Sequence, residues 1–443
     1  MSLTKDEIVE GARNIISGNP EKFIPGETYI PTHGGVGFGG SIWDGDDVAA
    51  LVDCALSRWY TEGKYSKEFT QQLRLYLDNM VRSVTLCNSG SSANLLAISA
   101  LTSKEFGERR ILPGDEVITT AVGFPTTVNA IVQNKAVPVF VDVDLGTYVP
   151  NINTIEEAIT EGKTKAIILA HTLGNVFDAR AIEDLATEYK IFLISDCCDA
   201  LGATFEEKHV ETYGDMATHS YYPAHHISGG EGGAVLTSNP MIDKVAKSFC
   251  SWGRECWCKP GKDNTCGKRF EFCYDKLPKG YDHKYVFSHI GYNLKKTDLQ
   301  ASLLVSQIKR LPEIVQARRD NFIVLHEKLV EFEDWLILPK PTPNSDPSWF
   351  GFPITLKSYA CCFSRKELID FLNEHKIGTR MLFSGNLIRQ PAYKDTNFMV
   401  SGNLYNSDII TESSFWIGIQ PSLREEHFDY IADVFRKFFK DKR

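Results

Sequence analysis

Between residues 86 and 240 the chain repeats one pattern: a short apolar run, a stretch with helical periodicity, then another apolar run. The runs Glu116–Thr120, 137–142, 166–171 and 191–196 are too short for buried helices and largely lack polar alternation, so they read as buried strands. Helical stretches at 94–102 and 181–190 separate them. Strands that alternate with helices in this way build a mainly parallel sheet covered by helices, an α/β architecture. Ligands of such sheets gather beyond the carboxyl ends of the strands, so function is expected in the residues that follow each run.

Outside that region the pattern changes. Residues 1–50 are rich in Gly and Pro and predict an N-terminal arm, with the run Gly34 to Gly40 reading as a flexible loop that borders the site at most. Residues 51–311 read as one large domain, with a cysteine-bearing insertion near 250–285. Residues 312–443 read as a smaller C-terminal α+β domain. There the proline-rich stretch 339–348 predicts an irregular break, 349–356 a strand, and 365–376 and 426–440 amphipathic helices.

Charge narrows the partners. With 48 basic and 57 acidic residues the formal net charge is -9, the wrong sign for a nucleic-acid or membrane-surface binder. No run reaches the ~18 apolar residues of a membrane span, and residues 1–18 carry acids instead of the apolar core of an export signal. The expectation is a cytoplasmic protein. Its 11 cysteines are then not expected to form disulfides, and clustered ones read as metal ligands or buried thiols.

Four constellations carry chemistry. In the first, Asn88-Ser89-Gly90-Ser91-Ser92 leads into a helix whose free N–H groups suit a phosphate. Taken alone, such a turn is more often simply a capped helix start. In the second, Asp196 ends a buried strand, where a carboxylate needs a partner. A helix cap satisfies it, and so does a pyridinium nitrogen. In the third, Ser220 to Gly233 reads Ser-Tyr-Tyr-Pro-Ala-His-His-Ile-Ser-Gly-Gly-Glu-Gly-Gly. In the fourth, Cys256, Cys258 and Cys266 follow Cys198, a set of four thiols able to hold a 2Fe–2S cluster or a structural zinc. Spacing does not choose between them. Cys198 lies two residues after Asp196, which favours an electron carrier near the same site over an inert zinc.

The third constellation resembles the sugar aminotransferase/dehydratase family of fold-type-I pyridoxal-phosphate enzymes. That family carries a serine, a Schiff-base lysine five positions later and then Glu-Gly-Gly, a frame that fits Ser220, His225 and Glu231-Gly232-Gly233. The resemblance extends from Trp59 to Tyr393 and includes Thr126-Thr127-Val128-Asn129 and Gly291-Tyr292-Asn293. The departure is His225 at the lysine position, with no lysine anywhere from His209 to Asp243. A histidine cannot hold an aldehyde as a stable imine, but it can serve as a general base. Together with the cysteine spacing, this resembles the iron–sulfur sugar 3-dehydrases.

That resemblance implies a fold-type-I large domain and a smaller C-terminal domain, with pyridoxamine 5'-phosphate (PMP/PLP) held without a covalent bond. Ser91, Ser92 and Ser220 would hold the cofactor phosphate, Phe124 would stack on the ring, and Asp196 would face its nitrogen. Asn293 would reach the phosphate of a neighbouring subunit, which implies a homodimer. His225 would be the catalytic base, with Tyr222 and Asp199 tuning it. Cys198, Cys256, Cys258 and Cys266 would ligate a 2Fe–2S cluster fed by an NADH-dependent reductase, and Cys197, Cys250 and Cys273 would merely pack. The substrate would be a nucleotide-linked 4-keto-6-deoxy sugar, with CDP favoured, and Arg380 and Arg389 are the candidates for its diphosphate. The rivals are a conventional sugar aminotransferase, a cluster-free dehydratase, and an inactive, zinc-stapled binding protein.

Overall fold

The computed structural model describes residues 3–18, 36–40, 42–258, 260–357 and 363–440. In chain order its first strands are β1 (Ser83–Cys87), β2 (Glu116–Thr120), β3 (Val137–Val141), β4 (Thr164–Ala170), β5 (Phe192–Asp196), β6 (Thr204–Phe205), β7 (Lys208–His209), β8 (Met216–Ser220) and β9 (Gly233–Thr237). The later ones are β10 (Leu336–Ile337), β11 (Ser345–Asp346), β12 (Phe352–Leu356), β13 (Thr379–Met381), β14 (Met399–Val400) and β15 (Ser414–Ile417).

The main sheet has eight strands in the order β1-β9-β8-β5-β4-β2-β3-β14. The strands from β8 to β14 in that order run parallel, and β9 turns back antiparallel between β8 and β1. The apolar runs of the sequence are therefore the parallel strands, buried along their length because helices cover both faces. Two apolar clusters fill those faces, one built on Ile118, Ile167 and Leu193, the other on Val117, Ile168 and Ile194. The period-two alternation of a strand sends neighbouring residues to opposite sides.

A second sheet, β10-β12-β15-β13, carries the C-terminal layer. Its own core gathers Phe352, Ile354, Phe415 and Ile417 against the helix Glu425–Lys440. The 19-residue helix Leu311–Leu329 joins the two layers: Ile314 and Val315 enter the first core, while Phe322, Leu325 and Leu329 enter the second. The stretch 339–348 is not wholly irregular. Its residues Ser345–Asp346 form β11, an edge strand that pairs with β6. Ahead of residue 50 the helix Lys5–Ser17 packs on the helix Gly45–Ser57, where the sequence had suggested an arm. Gly34 and Gly35 lie outside the described residues; the strap 36–40 is packed, with Val36 bridging to Ile377 and Gly37 and Phe38 pressed on Gly418. Among the described residues no helix is long and apolar enough to cross a membrane.

Candidate active site

Three strand ends build the floor of the site. The helix Gly90–Leu101 starts directly above β8. Ser89 caps it, accepting a hydrogen bond from the Ser92 amide at 3.1 Å. A Cβ on Gly90 would lie 2.5 Å from the Ser220 Cβ and 3.0 Å from the Cys198 Sγ, so only glycine lets the helix start come this close. Ser91 is exposed, Ser92 half-buried, and the Ser220 hydroxyl accepts from the Tyr222 amide at 3.3 Å. The serines predicted for a phosphate thus converge on one helix N-terminus.

Asp196 is 5% exposed at the end of β5. Its Oδ2 accepts from the Asn94 amide and the Thr127 hydroxyl, both at 2.7 Å, and its Oδ1 accepts from the Cys198 amide at 3.2 Å. Asn94 is itself oriented by the Thr218 hydroxyl at 2.6 Å. Three donors orient the carboxylate, yet among the described residues no basic side chain lies within ion-pair reach of it. A buried anion held this way is prepared for a cation supplied from outside the chain. The sequence assigns no role to Asn94, and it marks Thr127 only as part of the stretch that carries the resemblance. The available signal was a polar Asn inside an otherwise apolar helix face.

Phe124, the residue before the helix that carries Thr127, keeps 54% of its surface exposed and meets Phe383 edge-on at 5.9 Å. His225 sits in a turn closed by its amide on the Tyr222 carbonyl at 3.0 Å. Its Nδ1 lies 3.5 Å from Asp199 Oδ1 and has no hydrogen-bond partner. Phe350 packs on the imidazole at 5.0 Å between centroids, and the half-exposed Tyr222 stands edge-on at 6.5 Å. Phe350 comes from the C-terminal layer, 125 positions along the chain, and nothing local in the sequence marks it.

Burial dominates the electrostatics. It pushes His225 down to about 3, with the Arg318 charge acting in the same direction. Burial also raises Asp199 to about 7, helped by the nearby Asp196 and opposed by the Leu173 amide and Arg318. That amide donates at 3.3 Å from a residue in the left-handed region, Leu173 at φ 52°. The folded value of Asp199 lies above its unfolded value, so folding takes up a proton. The resulting stability is fully present below about pH 4 and is lost as pH rises through 7. Asp199→Asn, which stays neutral, is therefore expected to be more stable than the parent above pH 7 by roughly 2–4 kcal/mol, with little difference at pH 4. Chemical denaturation at pH 4 and pH 8 measures this, and an equal effect at both would refute the raised value.

The cysteines separate into two places. Cys198 lies at the cradle, its thiol pushed well up by burial and by Asp196 and Asp199. Cys256, Cys258 and Cys266 share one loop. There the Cys258 amide donates to the Cys256 sulfur at 3.4 Å, and the Lys268 amide to the Cys266 sulfur at 3.4 Å. Thr265 stands 2.8 Å from the Cys258 sulfur, and His283 Nε2 stands 3.5 Å from that of Cys266. Among the described residues no group of three or more His, Cys, Asp or Glu side chains is arranged to hold a metal ion. Cys197 and Cys250 are buried in the cores, whereas Cys273 is exposed and packs nothing away.

Of the two arginines offered for a diphosphate, Arg389 is held by both Asp408 oxygens, at 3.1 and 2.8 Å. Arg380 lies flat on Phe38 at 3.5 Å, and among the described residues no carboxylate pairs with it. Asn293 is exposed and bridges to Ser251, and the Leu294 carbonyl beside it accepts from the Asn88 amide at 2.9 Å.

Residues 42–436 match the model of the DegT/DnrJ/EryC1/StrS aminotransferase family. The chain is 49% identical over 421 residues to the lipopolysaccharide biosynthesis protein RfbH of Salmonella typhimurium, covering 95% of this chain and 94% of the relative. It is likewise 49% identical over 416 residues to a dTDP-4-dehydro-2,6-dideoxy-D-glucose 3-dehydratase of Saccharopolyspora spinosa, covering 94% and 88%. The solved structure of E. coli GDP-4-keto-6-deoxy-D-mannose-3-dehydratase with bound hydrated PLP superposes with a TM-score of 0.81. That protein is 27% identical, and the match covers 90% of this chain and 99% of the other.

Proposed function

The chain belongs to the DegT/DnrJ/EryC1/StrS aminotransferase family, and from that premise we propose that it removes the carbon-3 hydroxyl of a nucleotide-linked 4-keto-6-deoxy sugar with pyridoxamine phosphate. The observation that carries this reading is His225 at the position where the resemblance places a lysine, 3.5 Å from Asp199 and so close to the Asp196 strand end. The residues fit the cofactor. Gly90 admits the helix start, Asp196 awaits a cation, and Phe124 offers an exposed ring. Bound there, the cofactor supplies an amine for the sugar's carbonyl and a ring that accepts an electron pair.

The chain's own residues then divide the work. Ser91, Ser92 and Ser220 hold the phosphate, and Asp196 fixes the ring nitrogen. His225 cannot become a covalent anchor; it moves a proton instead. With Nδ1 turned to Asp199, Nε2 is left for that transfer. Once ionised, Asp199 accepts from Nδ1–H and keeps the lone pair on Nε2. Tyr222 stands beside the imidazole, and Arg380, which pairs with no carboxylate among the described residues, is the cation offered to the diphosphate. Asn293 would serve the cradle of a second copy.

The nucleotide is left wider than CDP, because a 49% identical relative is named for a dTDP sugar. The finer reading assigns a 2Fe–2S cluster to Cys198, Cys256, Cys258 and Cys266, reduced by an NADH-dependent partner. It is supported by three thiols on one loop, two of which accept amide hydrogen bonds of the kind that tune such sulfurs. A cluster-free dehydratase is favoured by the seat of Cys198 on the cradle, apart from that loop, and by the absence of a three-ligand group among the described residues.

Anaerobic incubation with CDP-, dTDP- and GDP-linked 4-keto-6-deoxyhexoses, pyridoxamine phosphate and a reductase tests both readings. The expected product lacks one oxygen, and the protein is expected to carry about two iron and two sulfide per chain. Consumption of none of the sugars, or formation of an amino sugar with glutamate, rejects the dehydratase. Turnover by iron-free protein rejects only the cluster.

A further inference from the structure

We propose that Arg318, which lies behind the site on the helix Leu311–Leu329, is a positioning residue that holds Phe350 against the ring of His225. Arg318 is 1% exposed, the bulkiest of the fully buried side chains. Its Nη1 donates to the Trp349 carbonyl at 3.2 Å and to the Phe350 carbonyl at 3.0 Å. One turn further along the helix, Phe322 stacks on Trp349 at 3.9 Å with the planes 3° apart. The next residue, Arg319, donates to the Pro347 carbonyl at 3.0 Å. The segment 347–350 is thus tied to the helix on one side.

Its other side is the wall of the site. Phe350 packs on His225 at 5.0 Å, and the Ser348 hydroxyl lies 2.7 Å from His226 Nε2. The Phe350 amide donates to the Leu173 carbonyl at 2.8 Å, and the Leu173 amide reaches Asp199. A Cβ on Gly174 would stand 2.0 Å from the Ser348 carbonyl, so the turn and the segment are in full contact. One helix therefore sets, through 347–350, the position of both the base and the acid beside it.

The charge has a second consequence. Among the described residues no carboxylate lies in ion-pair reach of Arg318, and its Nε has no hydrogen-bond partner. Burial lowers the guanidinium to about 10, with Asp199 acting in the opposite direction, so Arg318 stays charged at working pH and is weakly screened. The groups around His225 are Asp199 from the loop after β5, His219 on β8, Tyr222 and His226 on its own turn, and Arg318. Of these, Arg318 is the fixed cation, and it opposes imidazolium, the form that cannot act as a base.

This inference rests on His225 being the base, and the controls keep the two apart. Arg318→Met fills similar volume without the donors or the charge. It is expected to lower kcat by about 100-fold, the scale of a small misplacement of a reacting group, with KM for the sugar changed by less than about threefold. The acid limb of its kcat profile is expected to move to higher pH. Arg318→Lys keeps the charge and is expected to recover at least about tenfold of that loss. Equal kcat in both variants and the parent, or a loss confined to KM, overturns the proposal. If Arg318→Met fails to fold, Arg318→Gln, which keeps an amide donor and drops the charge, decides alone, and parental kcat with an unmoved acid limb overturns the proposal. His225→Asn at parental turnover would instead remove the base reading itself.

Discussion

Replacing His225 with lysine is expected to cut dehydration turnover by about 10²–10⁴-fold, the usual contribution of a general base, while fixing pyridoxal phosphate to the protein. The position explains both effects. The residue sits in a turn closed on the Tyr222 carbonyl, within 3.5 Å of Asp199 and against Phe350, so its side chain lies beside the loop that follows Asp196. Burial that drives an imidazole down acts in the same direction on an ammonium, leaving a fraction of the lysine neutral and nucleophilic at working pH. A primary amine then condenses with the aldehyde, which imidazole cannot do. The checks are a visible absorption band bleached by borohydride and a mass increase of one reduced cofactor. A variant with turnover within threefold of the parent, or one without the band, would show that residue 225 is not where the proton moves.

Asp196→Asn has the second largest expected effect. The carboxylate accepts on both oxygens: Asn94 and Thr127 donate to one, the Cys198 amide to the other. An asparagine can satisfy only one side, because its NH2 must then face a donor. That conflict costs about 1–3 kcal/mol of stability. The larger loss is functional. The amide carries no charge to pair with a ring nitrogen, and removal of one preorganised electrostatic group lowers turnover by about 10²–10³-fold. The variant is also expected to lose pyridoxamine phosphate on dialysis when the parent retains it. Parental turnover with retained cofactor would free Asp196 from the assigned role.

What the chain disclosed by itself follows from how local each feature is. The strands β2 to β5 were legible because parallel strands are buried on both faces, β2, β3 and β5 at every residue and β4 at all but Lys165 and Ala170, and so write continuous apolar runs. Asp196 was legible because a carboxylate at the end of such a run is conspicuous. Its partners were not, since Asn94 and Thr127 meet it only when three separate segments converge. The edge strand β11 was read as a break because two residues between prolines have no period, and β6 alone gives them their pairing. Phe350 and Arg318 lie about 100 residues from His225 and look like ordinary core and helix residues until the fold brings them together. The cysteine loop was visible as a motif, but the seat of Cys198 against Gly90 depends on helix and strand ends meeting.

The helix Leu311–Leu329 contributes to both apolar cores with one continuous ridge. Neither layer therefore owns it, and the two cannot be exchanged as modules at that junction. A hybrid that draws its C-terminal lobe from a relative with another nucleotide preference inherits half of a foreign interface if the splice falls within these turns. Joined ahead of Leu311, the incoming lobe brings its own strut and must instead seat its counterpart of Val315 against Gly202.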